Sequence, residues 1–217
     1  MTLVPFRTDA EVRAAVPAVS RHLEGGGLLA YPTETVYGLG SRPTDADVSA
    51  LQQLKGRRVG KPFLLLVADT EMVLSFGLAF TPAARAMAER FWPGPLTLVL
   101  AGGEGRLPDS LRGPEGGIAV RWTSHAGMAE LIAQVGVPLT STSANLPGRR
   151  TAPGAAAITE LFPQAVGAGR LLVLDGGVLG NRPPSTVVDC TGAVPRLVRE
   201  GALPRAELRR GVGSLAP

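Results

Sequence analysis

The sequence predicts one α/β domain over residues 1–217. Three observations point there. Stretches with helical periodicity alternate with short apolar runs along the chain, and no composition break marks a linker. The 28 Gly and 19 Pro imply many tight connections in place of long helices. A hydrophobic fraction of 45% with 18% charged residues belongs to a globular chain, and 217 residues suffice for one well-filled core.

Taken in order, Thr8-Asp9-Ala10-Glu11 reads as a capping box opening a helix that buries Val12, Val16, Val19 and Leu23. Pro17 should kink that helix and Gly25 to Gly27 end it. Leu28 to Tyr31 is a short strand stopped by Pro32. The polar segment Thr33 to Gly40 follows as a strand-end loop, the place where open α/β sheets gather ligands. Thr44 caps a second helix that ends at Gly56. Phe63 to Val67 reads as a strand covered on both faces. Thr81-Pro82 starts a helix reaching Trp92, and Leu96 to Leu100 is another buried strand. Residues 102–117, rich in Gly and charge, read as a long surface loop. Then come a strand over Ile118 to Trp122, a helix over Ser124 to Val135 and a strand-like Pro138 to Thr140. The hydroxyl-rich Ser141 to Asn145 is next. A helix over Ala155 to Phe162, strands at Leu171 to Leu174, Ser185 to Asp189 and Arg196 to Arg199, and a last helix over Pro204 to Arg210 complete the chain.

Composition excludes several classes. Cys190 is the single cysteine, so no disulfide framework exists and a reducing cytoplasm is the expected compartment. Two histidines and one cysteine far apart do not make a zinc site, and no metal-ligating set is expected. The amino terminus lacks a signal-peptide layout and no apolar run reaches membrane-spanning length, so no membrane partner is expected. Net charge of +4 and a pI near 10.0 suit a phosphate-bearing ligand or RNA. No phosphate loop, dinucleotide glycine fingerprint or nucleophile elbow is present. His22 and His125 read as surface or capping residues.

What remains is a set of hydroxyls and cations at loop ends. Of 22 basic residues only two are lysines, Lys55 and Lys61, and both fall in the heptad KGRRVGK beside Arg57. A compact ammonium suits polyphosphate oxygens, whereas a basic run alone also fits a solvated loop. Thr33, Thr35, Ser141, Thr142, Ser143 and Asn145 supply neutral donors and acceptors, with Arg121 and Arg199 as further cations. Such a set has no enzyme nucleophile. It suits a reaction in which the protein positions two dissolved reactants and neutralises phosphate charge.

The ordered series YPTETVYGLG (31–40), KGRRVGKP (55–62), FWPGPLTLVL (91–100), GIAVRW (117–122), PLTSTSANLPG (138–148), PSTVVD (184–189) and LVREG (197–201) resembles the YrdC-like threonylcarbamoyl-AMP synthases. The resemblance spans about residues 28–201. It implies a twisted open mixed sheet with flanking helices and a basic concave cavity, in the short bacterial form. It implies formation of threonylcarbamoyl-AMP and pyrophosphate from L-threonine, bicarbonate and ATP, with Mg2+ accompanying ATP. It also implies a downstream tRNA threonylcarbamoyl transferase complex. By the same resemblance Lys55 and Arg57 are catalytic on the nucleotide phosphates, with Lys61, Ser141, Thr151 and Arg199 also on ATP. Thr33, Arg121, Ser143, Asn145 and Ser185 fall on threonine-binding positions. Leu66 stands where many members place a histidine. Two alternatives remain open: a double-stranded RNA or tRNA binding or ribosome-maturation module using the same cavity, and a carbamoyl-transfer domain like those of hydrogenase maturation.

Overall fold

The computed structural model describes residues 2–56, 62–180, 182–212 and 215–216. The chain runs β1 (Leu3–Pro5), α1 (Asp9–Glu24), β2 (Leu28–Tyr31), β3 (Gly38–Gly40), α2 (Asp45–Lys55), β4 (Leu64–Val67), α3 (Thr70–Ser75), β5 (Leu78–Ala79), α4 (Pro82–Phe91) and β6 (Leu96–Gly102). It continues through β7 (Ile118–Trp122), α5 (Ala126–Val135), β8 (Leu139–Ser143), α6 (Ala155–Leu161), α7 (Pro163–Gly167), β9 (Leu171–Asp175), β10 (Thr186–Asp189), β11 (Arg196–Arg199) and α8 (Arg205–Val212). The helix starts follow local chemistry. Thr8 and Glu11 form the reciprocal capping box of α1, and Thr44 and Thr81 accept from the third backbone N–H of α2 and α4. α1 continues through Pro17, whose ring lies on the exposed side.

The strands form one open mixed sheet in the order β1-β9-β2-β3-β8-β4-β7-β6-β10-β11, with β5 alongside β6. β2/β9, β4/β7 and β6/β10 are parallel, while β3 is antiparallel to both β2 and β8. Successive side chains alternate faces, and the two faces are covered unequally. One face carries Leu65, Val67, Leu96, Leu98, Leu100, Ile118 and Val120 against Val48 and Leu51 of α2, Met87 of α4, Ile158 of α6 and Leu208 of α8. The other carries Leu29, Tyr31, Leu66, Leu139 and Leu172 mainly against α1 and α5, with Met72 of α3 at its margin. Leu66 is fully buried there among Met128, Leu131 and Ile132, so this strand position belongs to the core.

Several elements depart from the sequence reading. β3 lies inside the segment expected to be a loop. Its glycines pack under the Tyr31 ring: a Cβ on Gly38 would sit 2.7 Å from Tyr31 Cε2, and one on Gly40 would meet Thr140 O at 2.1 Å. Close approach to the Tyr31 ring and, at Gly40, first to the Thr140 carbonyl requires glycine at both positions, and turn geometry does not. β8 runs on to Ser143, and β6 extends to Gly102 with only one face in the core. The loop 102–117 is anchored: Leu107 and Leu111 are buried, and Arg112 donates to the carbonyls of Gly102 and Gly116 at 2.9 Å each. The short elements β1, α3, β5 and α7 have no counterpart in the sequence reading.

Gly40→Ala should lower stability by roughly 2–3 kcal/mol, the cost of overpacking. Gly167→Ala, where the new methyl meets open space, should leave the urea midpoint unchanged or higher. Equal midpoints for both variants would contradict the packing account. Cys190 is buried, and burial with the nearby Asp189 charge pushes its thiol pKa up to about 12. Dithionitrobenzoate should therefore leave the folded chain unlabelled and react fully once urea unfolds it.

Candidate active site

Beyond the reach of α1 and α5, a cavity of about 1400 Å³ opens on the second sheet face, lined among the described residues by strand and loop side chains and by Lys55 of α2. Its floor is the alternate residues of five strands: Leu64 of β4, Thr97 and Val99 of β6, Ala119 and Arg121 of β7, Ser141 and Ser143 of β8, and Val187 and Asp189 of β10. Their strand neighbours Leu98, Val120 and Val188 point to the opposite core. The volume exceeds the usual small-ligand range of about 300–1,000 Å³ and leaves room for two reactants.

The nine described residues that the resemblance assigns to substrates line this cavity: Thr33, Lys55, Arg121, Ser141, Ser143, Asn145, Thr151, Ser185 and Arg199, and so do Thr35 and Thr142. Arg57 and Lys61, also expected on the nucleotide, lie outside the described residues. Lys55, the last residue of α2, is buried and donates from Nζ to Ser143 O and Asn145 Oδ1. Ser143 Oγ donates to Asn145 Oδ1 at 2.7 Å, and Asn145 Nδ2 donates to Arg149 O at 2.6 Å. The ammonium is thus fixed at the junction of α2, β8 and the loop after it.

Across the cavity, the segment after β2 is a hydroxyl-organised turn. Thr33 Oγ1 accepts from the backbone N–H of Thr35 and Val36 at 3.2 Å each and donates to Val36 O at 2.7 Å. The hydroxyl of Thr33 therefore shapes the turn first. Tyr37 Oη donates to Gly177 O at 2.8 Å and accepts from Gly176 N at 2.9 Å, which ties this turn to the loop after β9. Arg121 Nη1 donates to Thr35 Oγ1 at 3.2 Å and lies 3.9 Å from Glu34 Oε1. Burial holds the Arg121 pKa below its ordinary value, and the Glu34 charge pushes back. Arg199 Nη2 donates to Ser185 O at 2.8 Å, and Ser185 Oγ shares a 2.9 Å hydrogen bond with Thr97 Oγ1. Partial burial, and after it the like charge of Arg121, lower the Arg199 pKa from its ordinary value.

The lining carries Lys55, Arg121, Arg150, Arg182, Arg196 and Arg199 against the carboxylates of Glu115 and Asp189. Asp189 Oδ1 accepts from Thr191 and its Oδ2 from Arg196 Nη2 at 3.1 Å, and Glu115 lies 3.7 Å from the same Arg196. Among the described residues no group of three or more His, Cys, Asp and Glu side chains is placed to hold a metal ion. This donor set of hydroxyls and cations fits a Mg2+ carried by phosphate oxygens and water, and not one caged by side chains.

Sequence reasoning missed Thr97, Glu34, Arg150, Arg182 and Arg196. Thr97 had a signal, a lone hydroxyl on alternate register within an apolar strand. Glu34 stood inside the polar segment but was assigned no role. The three arginines reach the cavity through loop and edge-strand geometry that spacing does not encode. Among the described residues no helix is long and apolar enough to cross a membrane.

The Sua5/YciO/YrdC family model, described as "Telomere recombination", matches residues 21–201. A Thiobacillus denitrificans protein named threonylcarbamoyl-AMP synthase is 39% identical over 192 residues, covering 87% of this chain and 99% of that one. Its namesake from Chromobacterium violaceum is 38% identical over 170 residues, covering 78% and 85%. The crystal structure of P. abyssi Sua5 complexed with L-threonine superposes with a TM-score of 0.86 at 32% identity, covering all of this chain and 62% of that chain. With the open sheet, its one-sided cavity and the motif series all accounted for, this chain belongs to the Sua5/YciO/YrdC family.

Proposed function

We propose that this chain is a threonylcarbamoyl-AMP synthase, joining L-threonine, bicarbonate and ATP into threonylcarbamoyl-AMP and pyrophosphate for tRNA modification. The observation that carries this reading is the convergence on one cavity of the nine described residues assigned to substrates, in a chain whose relatives bear that name. Neither the RNA-binding nor the carbamoyl-transfer alternative is favoured by those relatives. The cytoplasm is the compartment the reading implies, and a tRNA threonylcarbamoyl transferase complex is the consumer of the product.

Arg121 takes the amino-acid carboxylate, since a guanidinium offers a planar fork matched to two oxygens. Thr33, Ser143, Asn145 and Ser185 complete the threonine side. Lys55 and Arg57 neutralise the nucleotide phosphates, with Lys61, Ser141, Thr151 and Arg199 completing the ATP side. The threonine amine and bicarbonate condense with loss of water, forming the N–C bond of a carbamate. A carbamate oxygen then attacks the α-phosphorus, the bond to the bridging oxygen breaks, and pyrophosphate leaves with that electron pair. Mg2+ arriving with ATP supplies charge neutralisation on the polyphosphate. The chain's own residues orient the reactants and spread the developing charge, which needs no tuned histidine or cysteine.

The test is pyrophosphate release from ATP with threonine and bicarbonate omitted in turn. Release that depends on both is expected, and release indifferent to threonine would overturn the assignment. Lys55→Ala should lower kcat by about a hundredfold, the usual worth of one well-aimed electrostatic donor, while far-ultraviolet circular dichroism stays unchanged. Wild-type turnover in that variant would remove the ammonium from the phosphate site.

A further inference from the structure

Arg121 is buried yet incompletely partnered. Its side chain is 4% exposed, and its Nε meets no hydrogen-bond acceptor. Facing it, Glu34 is 13% exposed, and its Oε1 is likewise buried without a donor. The nearest approach of these opposite charges is 3.9 Å, although closing by about 1 Å would give both a charge-assisted hydrogen bond. A tether explains the gap. Glu34 Oε2 accepts from Thr123 Oγ1, and Thr123 Oγ1 in turn accepts from His125 N at 3.2 Å. His125 is the N-cap of α5, with Nδ1 accepting from Met128 N at 3.3 Å. The carboxylate is therefore moored to the β7–α5 junction, and Thr35 holds the other side of the guanidinium.

We infer that Glu34, moored by Thr123, is a positioning residue that serves Arg121 as a stand-off counter-ion and leaves its donors for the carboxylate of the substrate. This rests on the reading of Arg121 as the partner of the amino-acid carboxylate. A buried guanidinium with no counter-ion carries a large desolvation cost. One closed onto a protein carboxylate would make the ligand compete for its donors. Separation at 3.9 Å avoids both. Burial lowers the Arg121 pKa and Glu34 offsets that, which is what a counter-ion at this distance does. Thr123 itself does not line the cavity, so it acts through Glu34 and not on the substrate.

Thr123→Val removes the mooring hydroxyl at nearly constant volume. The Michaelis constant for threonine should rise about ten- to a hundredfold, the worth of one hydrogen bond to a charged group, while that for ATP stays within about twofold. Thr123→Ser, which keeps the hydroxyl, should restore threonine binding. Glu34→Gln is the independent variant should valine not fold: it keeps the shape, removes the charge and should weaken threonine binding in the same selective way. Threonine constants unchanged in both variants, or threonine and ATP constants rising together, overturn the inference. Loss of threonine dependence in the wild-type protein would instead sink the functional reading on which it stands.

Discussion

The pleat of the strands is the constraint on which the other features depend. Each strand from β8 to β10 in the sheet presents one face to a helix-covered core and the other to the cavity, apart from Leu66 and Leu139, which pack with α5, so side chains have to alternate in step across neighbours. A register slip of one residue would turn Arg121, Ser141 and Ser143 into the core and Val120 into the cavity. The antiparallel pairing of β4 with β8 and of β6 with β7 fixes that step, placing Leu64 opposite Ser141 and Val99 opposite Ala119. The cavity is accordingly a property of the sheet as a whole, not of a loop grafted onto it.

Opening part of a sheet face to a cavity has consequences for the groups placed there. Lys55 and Arg121 are both among the buried residues, and each is held by hydroxyls and carbonyls more than by carboxylates. Neutral partners orient a cation without cancelling its field, so the field remains available to an incoming anion. Folding would be served better by tight ion pairs or by apolar replacements. A site that retains unpartnered atoms such as Arg121 Nε shows preorganisation taking precedence over local stability.

Much of this was legible in the sequence because strand periodicity carries function and fold in the same letters. Arg121, Ser141 and Ser143 were picked as a cation and hydroxyls at loop ends and Ser185 through the family resemblance, and the pleat brings them to one cavity. The capped helices were legible for a similar reason, since Thr8, Thr44 and Thr81 act on their own next turn. β3 was not legible, because Gly-Leu-Gly has low strand propensity and is a strand only by lying beneath Tyr31 and beside Ser143. Leu66, standing where many related sequences place a histidine, packs among Met128, Leu131 and Ile132 and belongs to the core. Arg182 and Arg196 reach the cavity from a loop and an edge strand, where no period constrains the sequence.

The same reasoning explains why this centre shows no catalytic nucleophile. When both reactants come from solution, the protein lowers the barrier by holding them in line and by meeting charge as it develops. That task calls for rigid donors, and the donors here are fixed by elements distant in sequence: Lys55 at the end of α2 bonds β8, and Arg199 at the end of β11 bonds the residue before β10. Tyr37 ties the turn that orients Arg121 to the loop after β9. Lys55, Arg121 and Arg199 are thus each anchored to a segment other than their own. The geometry of the charge set is maintained only by the intact sheet, which couples catalytic competence to global folding more closely than a single activated side chain would.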